Sequence, residues 1–198
     1  MALRLSGGRR LRSPKGEVAR PTTARMRQAV MNMLAGELGG CRWLELCGGS
    51  GVMACEALQR GAEAVVLVER DRRVAEVARA NLEAVAAGLG PGAQTGLGRD
   101  APSVTVEVVM EEALRFLERG AQASGRGVFD VIYADPPWQA QLHAPLARAV
   151  ARGRWLAPEG TLILEGDSTA HLPIPPGWQE QRRRAHGGSL VLFLRLES

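Results

Sequence analysis

Five short apolar runs, each rich in β-branched or aromatic residues and the first four each leading into a helical stretch, constrain the fold of this chain more than any other feature: CRWLEL (41–46), AVVLVERD (64–71), VTVEVV (104–109), VFDVIYA (128–134) and GTLILEG (160–166). The helical stretches between them are VMACEALQRGA, RRVAEVARANLEAVAAG, EEALRFLERGAQ and LHAPLARAVARGRWL. Strand alternating with helix is the signature of an α/β sheet with helices on both faces. The tail, WQEQRRRAHGG followed by SLVLFLRL, reads as an antiparallel pair that finishes the sheet. Ahead of the first strand, PTTARMRQAVMNMLAGELGG predicts a helix capped by Thr22 or Thr23, with Met26, Val30, Met33 and Leu34 at helical spacing and Gly39 and Gly40 as its stop. Residues 88–103, GLGPGAQTGLGRDAPS, read as a surface loop.

A chain of 198 residues suits one domain, so 1–198 is expected to form a single unit without staples. Cys41, Cys47 and Cys55 make no CxxC pair and leave an odd thiol, which favours a reducing, cytoplasmic setting over a disulfide framework. His143, His171 and His186 share no ligand spacing with the cysteines, so no metal is expected. No run is long and apolar enough for a bilayer, and arginines stand where a signal peptide would be apolar, so no membrane association is expected.

Charge is unevenly placed. Residues 1–27 carry eight basic side chains against Glu17 alone, a formal +7, and the remainder is −3. A basic arm on a mildly acidic body fits a phosphate-rich partner, with Arg9, Arg10, Arg12, Lys15, Arg20, Thr22, Thr23 and Arg25 as candidate nucleic-acid contacts. Solvated arginines in an arginine-rich chain would look the same. Arg20, Thr22 and Thr23 fit the floor of a site as well as they fit helix capping.

LELCGGSG sets Gly48, Gly49, Ser50 and Gly51 between the first strand and its helix, where backbone approaches a ligand closely at a helix amino end. The order lacks the GxGxxG of a pyrophosphate binder, so an adenosine without phosphates fits better than a dinucleotide. Glu69, beside Arg70 at the end of the second strand, is placed to accept from both hydroxyls of a ribose. Glu45, just before the turn, suits an ammonium group, and Glu111 and Glu112 after the third strand suit an adenine amine. Each has a plainer alternative: Glu45 in an ion pair, and Glu111 and Glu112 as acids of a helix first turn.

The fourth strand ends in DPPW. Pro136 and Pro137 end the ladder, so Asp135 sits at a strand's carboxyl end, where open α/β sheets hold their ligands. A carboxylate, a restricted backbone and the Trp138 ring together suit an amine on a planar base. Asp135 would accept one amino hydrogen and the Pro136 carbonyl another, while Trp138 stacks. A base in a helix would have to leave its stack to reach them.

LELCGGSG, Glu69 and DPPW, in that order, resemble the class I S-adenosylmethionine-dependent methyltransferases of exocyclic amines. With GGRRLRSPKGEVARPTTARMRQAVMNML, VERDRRVAEVARANL and YADPPW added, nearly the whole chain resembles the RsmD-type methyltransferases of bacterial small-subunit ribosomal RNA, and the RPTT segment is the more specific sign. The resemblance implies a Rossmann-like fold with a seven-stranded, mostly parallel sheet, an antiparallel C-terminal strand and helices on both faces. It implies S-adenosylmethionine as cofactor, with Glu45, Gly48, Gly49, Ser50, Gly51, Glu69, Arg70, Glu111, Glu112 and Asp135 around it. It further implies methylation of N2 of a guanine in 16S rRNA, free or in the assembling 30S particle, by a monomer. Where the family has Gly-Asp-Ala after the third strand, this chain has Glu111-Glu112-Ala113, so Glu112 replaces the aspartate; Cys47 stands where a phenylalanine is frequent. DPPW also fits a DNA adenine or cytosine methyltransferase or a protein amide methyltransferase, though no target-recognition domain is evident. A non-catalytic S-adenosylmethionine and RNA binder and a dinucleotide oxidoreductase are the readings from other classes.

Overall fold

In the computed structural model, which describes residues 3–14, 23–89, 104–169 and 172–197, the strands form one seven-stranded sheet. They are β1 (Arg42–Leu46), β2 (Ala64–Glu69), β3 (Thr105–Met110), β4 (Phe129–Ala134), β5 (Leu156–Asp167), β6 (Trp178–His186) and β7 (Ser189–Leu196), in the order β3-β2-β1-β4-β5-β7-β6. β1 to β5 are parallel, and β7 runs antiparallel to both β5 and β6. The helices are α1 (Ala24–Met33), α2 (Val52–Gln59), α3 (Arg72–Ala87), α4 (Ala113–Glu118) and α5 (His143–Arg152). From β1 the chain moves outward to β2 and β3, then returns to lay β4 on β1's other side. That reversal opens a crevice beyond the carboxyl ends of β1 and β4, the expected seat of a ligand in such a sheet.

Alternation along each strand divides the core into two layers. Trp43, Val65, Leu67, Val131, Tyr133, Ile163, Val191 and Phe193 face α1, α2 and α3. Leu44, Val66, Val68, Ile132, Leu162, Leu164 and Leu192 face α4 and α5. Both layers are dry, which explains the unbroken apolar runs in the sequence. Helices therefore cover both faces, as expected.

The structure differs from the sequence reading at some boundaries. Thr23 caps α1, its hydroxyl accepting from the Met26 amide at 3.2 Å, but the helix stops at Met33 and not at the glycines. The next residues make tighter turns, Ala35 N to Asn32 O and Glu37 N to Leu34 O, which bury both Leu34 and Leu38. α4 likewise spans only Ala113–Glu118, because Glu112 is its cap.

The basic arm is partly folded. Residues 3–11 make a hairpin, with Leu5 N on Arg9 O and Leu11 N on Leu3 O, both 2.9 Å. Leu5 is buried, and the Ser6 amide and hydroxyl both donate to Glu56 of α2, at 2.8 and 3.0 Å. Lys15, Arg20 and Thr22, and residues 90–103 of the expected surface loop, lie outside the described residues.

Candidate active site

The turn after β1 is shaped by packing beneath it. Cys47, Gly49 and Gly51 all have positive φ, at 58°, 53° and 74°. The Gly48 amide donates to Val68 O at 3.1 Å, which holds the turn against the end of β2. A Cβ on Gly48 would lie 2.4 Å from Leu67 Cγ, so only glycine lets the turn descend this far. Glu69 completes the turn from β2: its Oε2 accepts from the Gly49 amide at 3.0 Å and its Oε1 from the Asp71 amide at 2.9 Å. Both oxygens keep acceptor capacity for a ligand hydroxyl.

A cavity of about 530 Å³ opens beside this turn. Its lining brings together Gly49, Glu69, Arg70, Glu111, Glu112, Asp135, Pro136, Pro137 and Trp138 from the sequence reading. The wall also includes Cys47, noted above as a departure from the family, and Asp71, Val74, Gln139 and Leu142, which the sequence did not single out. Asp71 is the cap of α3, accepting from the Val74 amide at 3.0 Å, so its position follows from helix geometry.

Glu45, Gly48, Ser50 and Gly51 do not line the cavity. Glu45 is buried beneath the turn on the α1 side of the sheet, where Trp43 Nε1 donates to it at 3.3 Å. Burial pushes its carboxyl up to about 8, reinforced by the charge of Glu69 and opposed by hydrogen bonds from Trp43 and the Ala54 backbone.

Asp135 follows β4, its amide reaching Leu46 O at 3.4 Å. Its carboxyl is raised well above the usual range, first by burial, then by the charges of Glu165 and Glu45; a hydrogen bond from the Trp138 side chain pulls the other way. Trp138 begins a short 3-10 turn, Trp138–Ala140, and its indole is thereby tied to the carboxylate it follows. On the same strand the Tyr133 hydroxyl donates to Glu165 of β5, and His143 bonds the Glu165 carbonyl through Nε2 at 2.7 Å, fixing α5 to β5.

Across the cavity, Glu112 caps α4, accepting from the Arg115 amide at 3.0 Å, and Glu111 pairs with Arg119 and Arg115. Both acids thus precede the first turn of α4, where the plainer alternative had set them, with Glu112 as the cap itself, and both still face the cavity. Cys47 is no nucleophile: burial and the charge of Glu69 hold its thiol up at about 12. Among the described residues no cluster of His, Cys, Asp and Glu could hold a metal ion, and no helix is long and apolar enough to cross a membrane.

Asn81 of α3 is the residue that sequence reasoning missed most completely. Nearly inaccessible, it donates through Nδ2 to Ser50 O and to Arg12 O, both at 3.0 Å, and accepts from the Arg12 amide at 2.8 Å. One side chain joins the glycine turn to the end of the basic hairpin. Arg9 reaches Ala84 O of the same helix at 2.6 Å, so Arg9 and Arg12 are tethered to the body, while Arg10 and Arg25 are exposed.

A family model described as "Conserved hypothetical protein 95" matches residues 5–195. The chain is 28% identical over 181 residues to Ribosomal RNA small subunit methyltransferase D of Escherichia coli, covering 91% of this chain and 81% of that one. It is 30% identical over 170 residues to YlbH of Bacillus subtilis, covering 86% and 83%. The solved structure of yhhF from Escherichia coli superposes with a TM-score of 0.79 at 28% identity, over 100% of this chain and 99% of that one.

Proposed function

The chain belongs to the Conserved hypothetical protein 95 family, and from that premise we propose that it transfers a methyl group from S-adenosylmethionine to the exocyclic N2 amine of a guanine in small-subunit ribosomal RNA. The observation that carries the reading is Asp135, half-buried just past the carboxyl end of β4 with Trp138 hydrogen-bonded to it, on the same cavity as Glu69. The similarity to a protein named as a small-subunit rRNA methyltransferase supports the substrate class.

The residues present fit the cofactor. Only glycine at position 48 lets the turn settle on Leu67, which sets the Gly49 backbone on the cavity wall, and Glu69 offers a carboxylate already oriented by two backbone amides. Glu69 would hold the ribose hydroxyls, and Glu111 and Glu112 stand on the wall where an adenine amine would lie. Glu45, buried beneath the turn, would act on an ammonium group as a nearby charge. When bound, the sulfonium supplies an electrophilic methyl group.

Asp135 has two tasks. A guanine amine is a poor nucleophile because its lone pair is delocalised into the ring, so acceptors must hold its hydrogens and leave that pair facing the methyl carbon. Asp135 accepts one hydrogen and the Pro136 carbonyl the other, while Pro136 and Pro137 limit backbone freedom. Methyl transfer would leave that nitrogen with one proton too many, and the amine would then be acidic. Asp135, whose pKa is raised, is suited to take the released proton.

Arg9, Arg10, Arg12 and Arg25 are proposed to meet RNA phosphates, with Lys15, Arg20, Thr22 and Thr23 extending that surface. The enzyme is read as a cytoplasmic monomer acting on rRNA, free or in the assembling particle.

The test is methyl transfer from labelled S-adenosylmethionine to small-subunit rRNA and to 30S particles from a strain lacking the enzyme. Nucleoside digestion should yield N2-methylguanosine, and Asp135→Ala should abolish transfer while retaining cofactor binding. Label on another nucleoside, or an active Asp135→Ala protein, would overturn the assignment.

A further inference from the structure

The tail arginines have no part in the site described so far. β6 is an edge strand, bonded to β7 on one side, and carries Arg182, Arg183 and Arg184 in succession. Its register separates them: Arg182 pairs with Phe193 and Arg184 with Val191, both of the α1 layer, whereas Arg183 pairs with Leu192 of the α5 layer. Arg183 is neutralised by Glu180 at 2.7 Å, and Arg182 donates to Met33 O at the end of α1, also at 2.7 Å. Arg184 is exposed and has no ion pair among the described residues.

The position of Arg184 gives that free charge meaning. Arg184 pairs with Val191, and Val191 with Glu165. Ala134 pairs with Leu164, so the next row holds Asp135 and Glu165. Arg184 therefore shares the row of Asp135, on the α1 side of the sheet, three inter-strand steps of roughly 4.8 Å away, about 14 Å in all. His186 lies one step nearer the site end of the sheet, paired with Ser189, which pairs with Asp167. Arg25, in the first turn of α1, is exposed on this same layer.

We propose that the α1-side row of β6, with Arg184 at its centre and His186 beside the hairpin turn, is a second RNA backbone contact that holds nucleotides flanking the target base. It rests on the rRNA reading above and extends that surface to the opposite edge of the sheet from the N-terminal hairpin. An exposed arginine without an ion pair, about 14 Å from the catalytic carboxylate and with a histidine beyond it on the same face, suits a polyanion that runs across the site. An arginine that merely guards an edge strand against self-association would have no such dependence on RNA.

The experiment uses the full chain and small-subunit rRNA from a strain lacking the enzyme, with binding measured across a salt series. Arg184→Ala should lower the slope of log affinity against log salt by about 0.7–0.9, one phosphate contact. Arg184→Glu should raise Kd by about tenfold or more at low salt. Arg183→Ala, whose charge is already neutralised, should leave the slope unchanged. S-adenosylmethionine affinity in the same preparations should match wild type, showing that each variant is folded. Wild-type slope in Arg184→Ala, with wild-type Kd in Arg184→Glu, overturns the second contact and leaves the rRNA reading standing. Absence of salt-dependent RNA binding by the wild-type protein overturns both.

Discussion

The Gly49 amide and the Glu69 carboxylate are joined at 3.0 Å, so the glycine turn and the end of β2 form one rigid unit before any ligand arrives. The Asp71 amide holds the other carboxylate oxygen at 2.9 Å. In Glu69→Gln one acceptor becomes an NH2 group that faces a backbone N–H, and a ribose acceptor is lost as well. S-adenosylmethionine affinity should fall by about 10- to 100-fold, equivalent to about 1–3 kcal/mol. Calorimetric titration checks this, and an unchanged Kd would remove Glu69 from the cofactor site.

Gly48 tests the packing beneath the same turn. Its Cβ would meet Leu67 Cγ at 2.4 Å, and Leu67 is fully buried, so the neighbour has little room to move. Gly48→Ala should cost about 1–3 kcal/mol in urea unfolding, as overpacking does. Leu67→Ala opens a cavity of its own, but in the double variant the two changes should be less than additive. Additive costs would place the strain elsewhere.

How much of this was legible in the sequence follows from which contacts are local. The strands and the Asp135 position depend on strand ends, which apolar runs and prolines report directly, whereas the order of the strands across the sheet rests on long-range pairing. Glu69 was legible because one strand-helix-strand unit fixes its place relative to the glycines. Glu45 was assigned to the cofactor from its nearness in sequence to the turn. Period-two alternation instead sends it to the layer of Trp43, beneath that turn. Asn81 was invisible because both carbonyls it serves, Ser50 and Arg12, are distant in sequence. The hairpin at the amino end was hidden for a similar reason: its arginines suggest a solvated arm, while Leu5 and Ser6 bind it to α2.

Glu45 should make stability depend on pH. Its carboxyl titrates near 8 when folded, against 4.5 ordinarily. Between those values the folded state holds a proton that the unfolded chain has lost, so stability falls as pH rises across the window and levels off above it. Glu45→Gln removes that dependence, and it should therefore gain on wild type by on the order of 4 kcal/mol between pH 5 and pH 9. Urea unfolding at the two pH values measures it. A constant difference between the proteins would show that Glu45 ionises normally.

Trp138 lowers the Asp135 pKa through its hydrogen bond, against the larger upward effect of burial. Phenylalanine keeps an aromatic plane but has no N–H to donate. In Trp138→Phe the acidic limb of the kcat/KM profile for methyl transfer should therefore move to higher pH, while turnover on the alkaline plateau changes by less than about tenfold. A limb that stays in place would mean that the ring only stacks.

Cofactor binding should release protons, and the amount identifies the group that faces the sulfonium. Glu45 titrates at about 8, so near neutral pH the free protein carries a proton on that carboxyl, and the raised Asp135 carboxyl holds its proton more tightly than an ordinary aspartate does. A cation bound beside them favours the ionised forms, which expels protons and makes affinity rise with pH until the carboxyls are already ionised. S-adenosylmethionine brings an ammonium and a sulfonium; S-adenosylhomocysteine brings the ammonium alone. Calorimetry at pH 7 in two buffers of different ionisation enthalpy should therefore show more proton release with the first ligand than with the second. In Asp135→Asn the difference should vanish, since an amide has no proton to expel. Equal release by both ligands in the wild-type protein would remove Asp135 from the position of methyl transfer.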